Sequence, residues 1–511
     1  MDAKELQFAT FGVDDRLTGA AKSNQVSYLR RYLDDIGAVA TIEEQQYFDR
    51  DYLSEFSAFY STSCAGYPNT CRRIHFFSTA VDRTRLVRAL EGDQAEAAAL
   101  QGAYLGFVVC RPIPSSPIGR TVLKWYPDRW PTTPRVSTPS REYSVCLAGL
   151  PLTVEGLAWQ QQDSAVGACA TIALWSLLHS SGFDRMHAIP TTADVTRAAH
   201  RNAPFGKRVF PSGGLNVWQL CEAIKAHGLS PVLIPGSVFG SRKAFGAERF
   251  CASTSALIRS GFPVIMTGGL ERDGQDPEGH AVCAVGFRSK GQGQVAQGDV
   301  AHHDREIPNL YIHDDNIGPS ARFVLEEAPE GFVFARPQAP QLLKPTALPD
   351  PTVNYPRFVP DNLVVAFPDD IRTSPDVLHA KGIAVATRLS KLLDTVAKQA
   401  NISISGLSVS TRFVRLRDYL STSLPAVLGT FPTRLGRTRI ALAEAVPPMS
   451  LYLGVVRLGD ANTPLLDILF DTTDSDANHS AFAHVVFDKS VMPYVMALAR
   501  RAGIGATVDG S

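Results

Sequence analysis

From Ala170 to Leu178 the chain reads Ala-Thr-Ile-Ala-Leu-Trp-Ser-Leu-Leu, nine residues without a charge. At helical spacing such a run is apolar almost all round. A helix with no water-facing stripe must be enclosed by other elements, so this segment predicts a buried central helix. Cys169 opens the run. Before it stands a polar loop, Gln160-Gln161-Gln162-Asp163-Ser164, and then a small-residue turn, Ala165-Val166-Gly167-Ala168.

A cysteine attacks carbonyl carbon as the thiolate. The unpaired backbone N–H groups at a helix N-terminus favour negative charge, and Cys169 is expected at such a position. A thiol hydrolase also needs a histidine to take and return the proton, a carboxylate or amide to orient that histidine, and a donor for the oxyanion. His280 opens the apolar strand pattern Ala281 to Phe287. Tyr311-Ile312-His313-Asp314-Asp315-Asn316 ends a second strand in two acids. These residues predict Cys169 as nucleophile, His280 as base and Asp314, with Asp315 the alternative, as orienting acid. Gln162, or alternatively Gln161, is the oxyanion candidate.

Each of these residues also has a plainer reading. A free cysteine is most often a small packing residue, and a histidine at a strand start can be structural. For Cys221, Cys251 and Cys283, on a helix or within a strand with no polar neighbours of this kind, the core reading is preferred. His313 is expected on the strand face opposite Asp314.

Composition narrows the class further. Hydrophobic residues make up 45% and charged residues 20%, a globular balance. Fifty basic residues match fifty acidic ones, which offers no electrostatic footprint for nucleic acid. No apolar run is long enough for a membrane span, and Met1 to Glu5 does not read as a secretory leader. Eight sparse cysteines predict a reducing, cytoplasmic setting rather than a disulfide framework. No metal or cofactor motif is expected. Asp474 to Asn478 mimics the start of a calcium loop, but His479 stands where glycine is needed and Val485 where glutamate is needed.

At 511 residues the chain exceeds one ordinary core. The pattern predicts an α+β protein in three parts. Residues 1–140 read as a mixed α/β domain, with a helix over Arg83 to Gln101 and Arg72-Arg73 as a solvated charge pair. Residues 141–335 carry the motifs, with Arg288 to Ile307 as an exposed polar insertion. Residues 336–360 are a Pro-rich linker, and residues 361–511 a second mixed α/β domain.

The motif segment resembles the papain-like cysteine peptidases, and among them the bacteriocin-processing peptidases, over about residues 155–325. The resemblance implies a papain-like core, with the cysteine on a central helix packed against an antiparallel sheet. It implies the Cys169–His280–Asp314 assignment, a peptide or isopeptide substrate, no cofactor, and a glutamine near the nucleophile for the oxyanion. That family places its glutamine six residues before the cysteine. Here that position is Asp163, and Gln162 lies one residue further back. The same parts serve deamidation or acyl transfer, and a papain-like core that only binds a protein partner is the non-enzymatic alternative. The outer domains are expected to select substrate, or to block the site until a regulatory protein binds.

Overall fold

The structure is a computed structural model. It describes all residues except 1–5, 15, 18–22, 130–132, 181–186, 203–207, 292–294, 339–349, 351, 402, 430–431, 446–450, 461–462, 474–480, 503–505 and 510–511. The calcium-like segment and residues 339–349 and 351 of the Pro-rich stretch lie outside the described residues. The protein mixes helices with mainly antiparallel sheets, as expected of an α+β chain. Among the described residues no helix is long and apolar enough to cross a membrane.

The N-terminal segment forms a five-stranded antiparallel sheet in chain order: Gln7–Thr10, Ala40–Tyr47, Cys71–Phe77, Tyr104–Cys110 and Ile118–Leu123. The single helix expected over Arg83 to Gln101 is two, Arg83–Leu90 and Gln94–Ala103. Gly92 breaks it at φ 103°, and Asp93 caps the second helix by accepting from the Glu96 N–H. Arg72 and Arg73 are not a solvated pair. Arg72 meets Glu43 at 3.2 Å, while buried Arg73 is bound to Glu44 and to the Cys146 carbonyl.

The central sheet closes on itself. Strand Val264–Glu271 pairs with the His280 strand, Glu278–Arg288, which pairs with the Asp314 strand, Asn309–Asp314. Gly318–Glu327, Val333–Pro337 and Arg357–Phe367 follow, and the last returns to pair with Val264–Glu271. Closure leaves Val264–Glu271 with partners on both edges, so neither is exposed to water. Strand Arg357–Phe367 thus straddles the boundary expected at residue 360 and is hydrogen-bonded into the sheet of the motif segment. Ser230–Pro235 extends the sheet from its C-terminal half.

The predicted central helix spans Cys169–Leu178. It packs on the Val264–Glu271, Glu278–Arg288 and Asn309–Asp314 strands. Ala170 to Leu178 are all buried, as the absence of a polar stripe requires.

A second sheet of six strands is built from the C-terminal segment. Its order is Val300–His302, Leu407–Arg415, Tyr452–Asp460, Thr463–Asp471, Ala483–Val486 and Ala506–Asp509. The first of these strands comes from the stretch expected to be an exposed insertion. Val300–His302 pairs in parallel with Leu407–Val409, and His302 and Asp304 are buried. Asp304 can be buried because Arg259 grips both its oxygens, at 2.8 and 2.7 Å. Burial lowers the His302 pKa to about 4, so that ring is neutral and costs less to enclose. A polar segment therefore serves as an internal joint.

Candidate active site

Three separate segments converge at the N-terminus of the central helix. Cys169 is its first residue, and the residue before it, Ala168, offers no side-chain cap to the first turn. The backbone N–H groups there meet no competing side-chain oxygen from the cap position. Cys169 is half-exposed. His280 and both acids are buried.

His280 lies at the start of its strand, and the antiparallel pairing carries it beside the end of the Asp314 strand. Its Nε2 is 3.3 Å from Asp314 Oδ1 and 3.8 Å from Asp315 Oδ1. The Cys169 side chain also acts on the same histidine. Burial alone would favour the neutral ring. The Asp314 charge and hydrogen bond, the Cys169 contact and the Asp315 charge outweigh it, and raise the His280 pKa well above its ordinary value. The ring is thus built to hold a proton.

The two acids differ in their surroundings. Asp314 Oδ1 also accepts from the Asn316 N–H at 2.9 Å, and Oδ2 accepts from the Tyr355 hydroxyl at 2.7 Å. Asp315 Oδ2 is buried and has no hydrogen-bond partner among the described residues. Burial, with the charge of Asp314, pushes the Asp315 pKa up to about 7, although His280 opposes this. Geometry therefore separates the two alternatives: Asp314 is the held carboxylate beside the histidine, and Asp315 is a second acid behind it. His313 faces elsewhere, as its place on the strand predicts. It accepts from the Ser320 N–H and contacts the Leu157 carbonyl, and burial lowers its pKa to about 4.

The glutamine loop is also resolved by its contacts. Gln161 Oε1 accepts from the Ile118 N–H, which commits that side chain to the N-terminal sheet. Gln160 donates to Glu55 at 2.7 Å. Gln162 alone turns toward the acids, donating to Asn316 Oδ1 at 3.0 Å. Asp163, at the position where the resembled family has glutamine, folds the loop. Its Oδ1 accepts from the N–H groups of Ala165, Val166 and Gly167 at 2.7, 2.6 and 3.1 Å. A carboxylate can satisfy three converging donors, which a glutamine amide oxygen does less strongly.

Sequence reasoning missed the residues that support this loop and turn. Arg111 lies 2.9 Å from Glu55 and 3.5 Å from Asp163, and it also donates to the Gln161 and Ser116 carbonyls. All three charged groups are buried. Burial raises the Glu55 pKa to about 6 against the pull of Arg111. On the other side, helix Asn24–Asp35 clamps the turn after the acids. Gln25 donates to the Asp315 carbonyl and Tyr28 to the Pro319 carbonyl, both at 3.1 Å. The Tyr28 ring lies so close to Gly318 that a Cβ there would come within 2.1 Å of it. No local motif announces these contacts, because each partner lies far away in sequence.

His280, Asp314 and Asp315 also have the ligand types of a divalent metal site, and one atom of each lies within 4.8 Å of the others. No protein-family model matches the chain, and no curated protein matches it.

Proposed function

We propose that this chain is a thiol hydrolase that cuts a peptide or isopeptide bond through a papain-like core. The observation that carries the reading is the convergence of Cys169, His280 and Asp314: His280 is hydrogen-bonded to the acid and acted on by the thiol, the one half-exposed member of the three. In this reading His280 takes the thiol proton and Cys169 attacks the carbonyl. The Gln162 amide and the N–H groups at the helix start hold the oxyanion. His280 then gives its proton to the leaving amine, and water resolves the acyl-enzyme. Asp314, held by Tyr355, keeps the ring oriented. Replacement of water by an amine, or attack on a glutamine side chain, uses the same groups for acyl transfer or deamidation. The setting proposed is cytoplasmic, and the substrate a protein or peptide.

The test is to incubate the full chain with a fluorescent thiol-reactive acyl probe and with an unfolded protein substrate. Wild type is expected to label fastest at Cys169 and to release fragments, and Cys169→Ala to lose both the fast label and the fragments. Release of ammonia without fragments assigns deamidation. Labelling with no turnover of any amide assigns the binding-scaffold alternative. The metal reading of His280, Asp314 and Asp315 makes a different forecast, since activity would then fall on chelation and return with added zinc.

A further inference from the structure

The core and the C-terminal sheet meet around a cavity of about 290 Å³, close to the lower limit for small-ligand sites. Arg259, at the end of helix Ala247–Arg259, and His303, from the segment joining the His280 and Asp314 strands, form one wall. The paired strands Leu407–Arg415 and Tyr452–Asp460 form the other. Ser410 lies opposite Arg457, and Arg412 opposite Val455. Alternation along a strand puts Ser410, Arg412 and Arg457 on one face.

Three arginines therefore line one small space. Two have carboxylate partners: Arg259 holds Asp304, and Arg457 holds Asp467 through two hydrogen bonds of 2.7 Å. Arg412 has none among the described residues. Its Nη2 is buried and makes no hydrogen bond. The carboxylate that acts on it, Asp467, is already taken by Arg457 and by the Tyr419 hydroxyl. His303 adds no acceptor charge, and burial keeps its ring toward the neutral form. The wall thus carries one cation more than it has anions. Arg412 is half-buried, and leaving its buried Nη2 without a hydrogen bond is costly, so a native structure that keeps it requires a reason.

We propose that this cavity is a binding site for a phosphoryl group, either free phosphate or a small phosphate monoester. Guanidinium forks match the spacing of phosphate oxygens. The Arg412 fork, the Nη1 groups that Arg259 and Arg457 do not use on their carboxylates, and the Ser410 hydroxyl suit an anion with three or four terminal oxygens better than a carboxylate with two. The bound anion supplies the charge that Arg412 lacks. It also bridges Arg259 of the core to Arg412 and Arg457 of the C-terminal sheet. The site is separate from the Cys169 region and independent of the proposed hydrolysis.

The experiment is calorimetric titration of the full chain with inorganic phosphate, glycerol phosphate and acetate at constant ionic strength. Saturable one-to-one binding of phosphate or glycerol phosphate is expected, and the tighter of the two identifies the source. Arg412→Met removes the unpaired fork, and Ser410→Glu supplies a carboxylate in its place. Each is expected to weaken binding by about tenfold or more, the loss of one charged hydrogen bond. Circular dichroism checks that each variant is folded. Absence of saturable binding to wild type, equal binding by a folded variant, or preference for acetate overturns the proposal. If neither variant folds, a crystal of wild type grown with phosphate decides it, since an anion bound anywhere but this cavity refutes the assignment.

Discussion

Tyr355 donates its phenolic hydrogen to Oδ2 of Asp314 at 2.7 Å, while Oδ1 of the same carboxylate faces His280 at 3.3 Å. The tyrosine comes from the stretch expected to be a linker, 41 residues beyond the acid. It holds the carboxylate so that one oxygen remains for the imidazole.

Tyr355→Phe should therefore loosen Asp314 without removing it. The variant is expected to lose about 1.5–3 kcal/mol of stability, the range for a hydrogen bond to a charged group. Urea unfolding measures this. Alkylation of Cys169 should slow in parallel, and unchanged stability together with unchanged alkylation would show that the hydroxyl contributes nothing.

Exposure alone does not single out Cys169, because Cys64 and Cys146 are more exposed. What distinguishes Cys169 is its place at a helix start beside His280. Iodoacetamide at neutral pH should label it fastest, and His280→Ala should slow that labelling by about a hundredfold, the low end of what a general base provides. The labelling of Cys64 should not change. Mass spectrometry of tryptic peptides reads both rates, and a His280→Ala protein labelled at the wild-type rate would remove the histidine from the mechanism.

Asp315 gives a pH signature. Its pKa is raised to about 7 in the folded chain, against an ordinary value of about 3.9 when unfolded. A raised pKa favours the folded state while the group is protonated. The contribution is complete below about pH 4 and is lost as pH rises through about 7, with a slope of at most about 1.4 kcal/mol per pH unit. Asp315→Asn mimics the protonated acid. Its stability relative to wild type should therefore grow across that window, as denaturant melts at several pH values will show. A constant difference from pH 4 to pH 8 would mean that Asp315 does not titrate there.

Arg111 neutralises Glu55 and Asp163 in a buried cluster. Arg111→Met leaves two buried carboxylates against no cation and is expected to cost about 3–5 kcal/mol. Because Asp163 folds the turn before Cys169, thiol reactivity should fall as well. A variant that keeps full stability would show that water reaches the cluster.

If the outer segments only select substrate or block the site, residues 141–335 should act alone. The structure leads to the opposite expectation. That fragment lacks Arg111, Glu55, Tyr28, Tyr355 and strand Arg357–Phe367. It should fail to fold or fold with an unreactive thiol, whereas residues 1–370 are expected to retain the site. Circular dichroism and alkylation of both pieces decide this, and a folded, reactive 141–335 fragment would refute it.

The central helix was legible in the sequence because an apolar circumference has one stable environment, the interior. The His280 and Asp314 strands were legible because their apolar runs are bounded by polar turns. The order Cys, His, Asp was also visible, since residue type along the chain needs no fold. The choice between Asp314 and Asp315, or between Gln161 and Gln162, was not. Neighbouring residues of one type carry the same chemistry, and only the pairing of the His280 and Asp314 strands, or the docking of Gln161 on the Ile118 N–H, separates them. Tyr355, Arg111 and the helix Asn24–Asp35 were invisible for a related reason. Their energies come from contacts between residues that local pattern does not connect. The polar stretch before the Asp314 strand looked solvated because its partners, Arg259 and the Leu407–Arg415 strand, reach it only after the chain has folded. Local pattern determined which elements form and which residue types they carry; tertiary packing alone determined which of those groups stand within hydrogen-bond reach, because that reach is a few ångströms and acts through space.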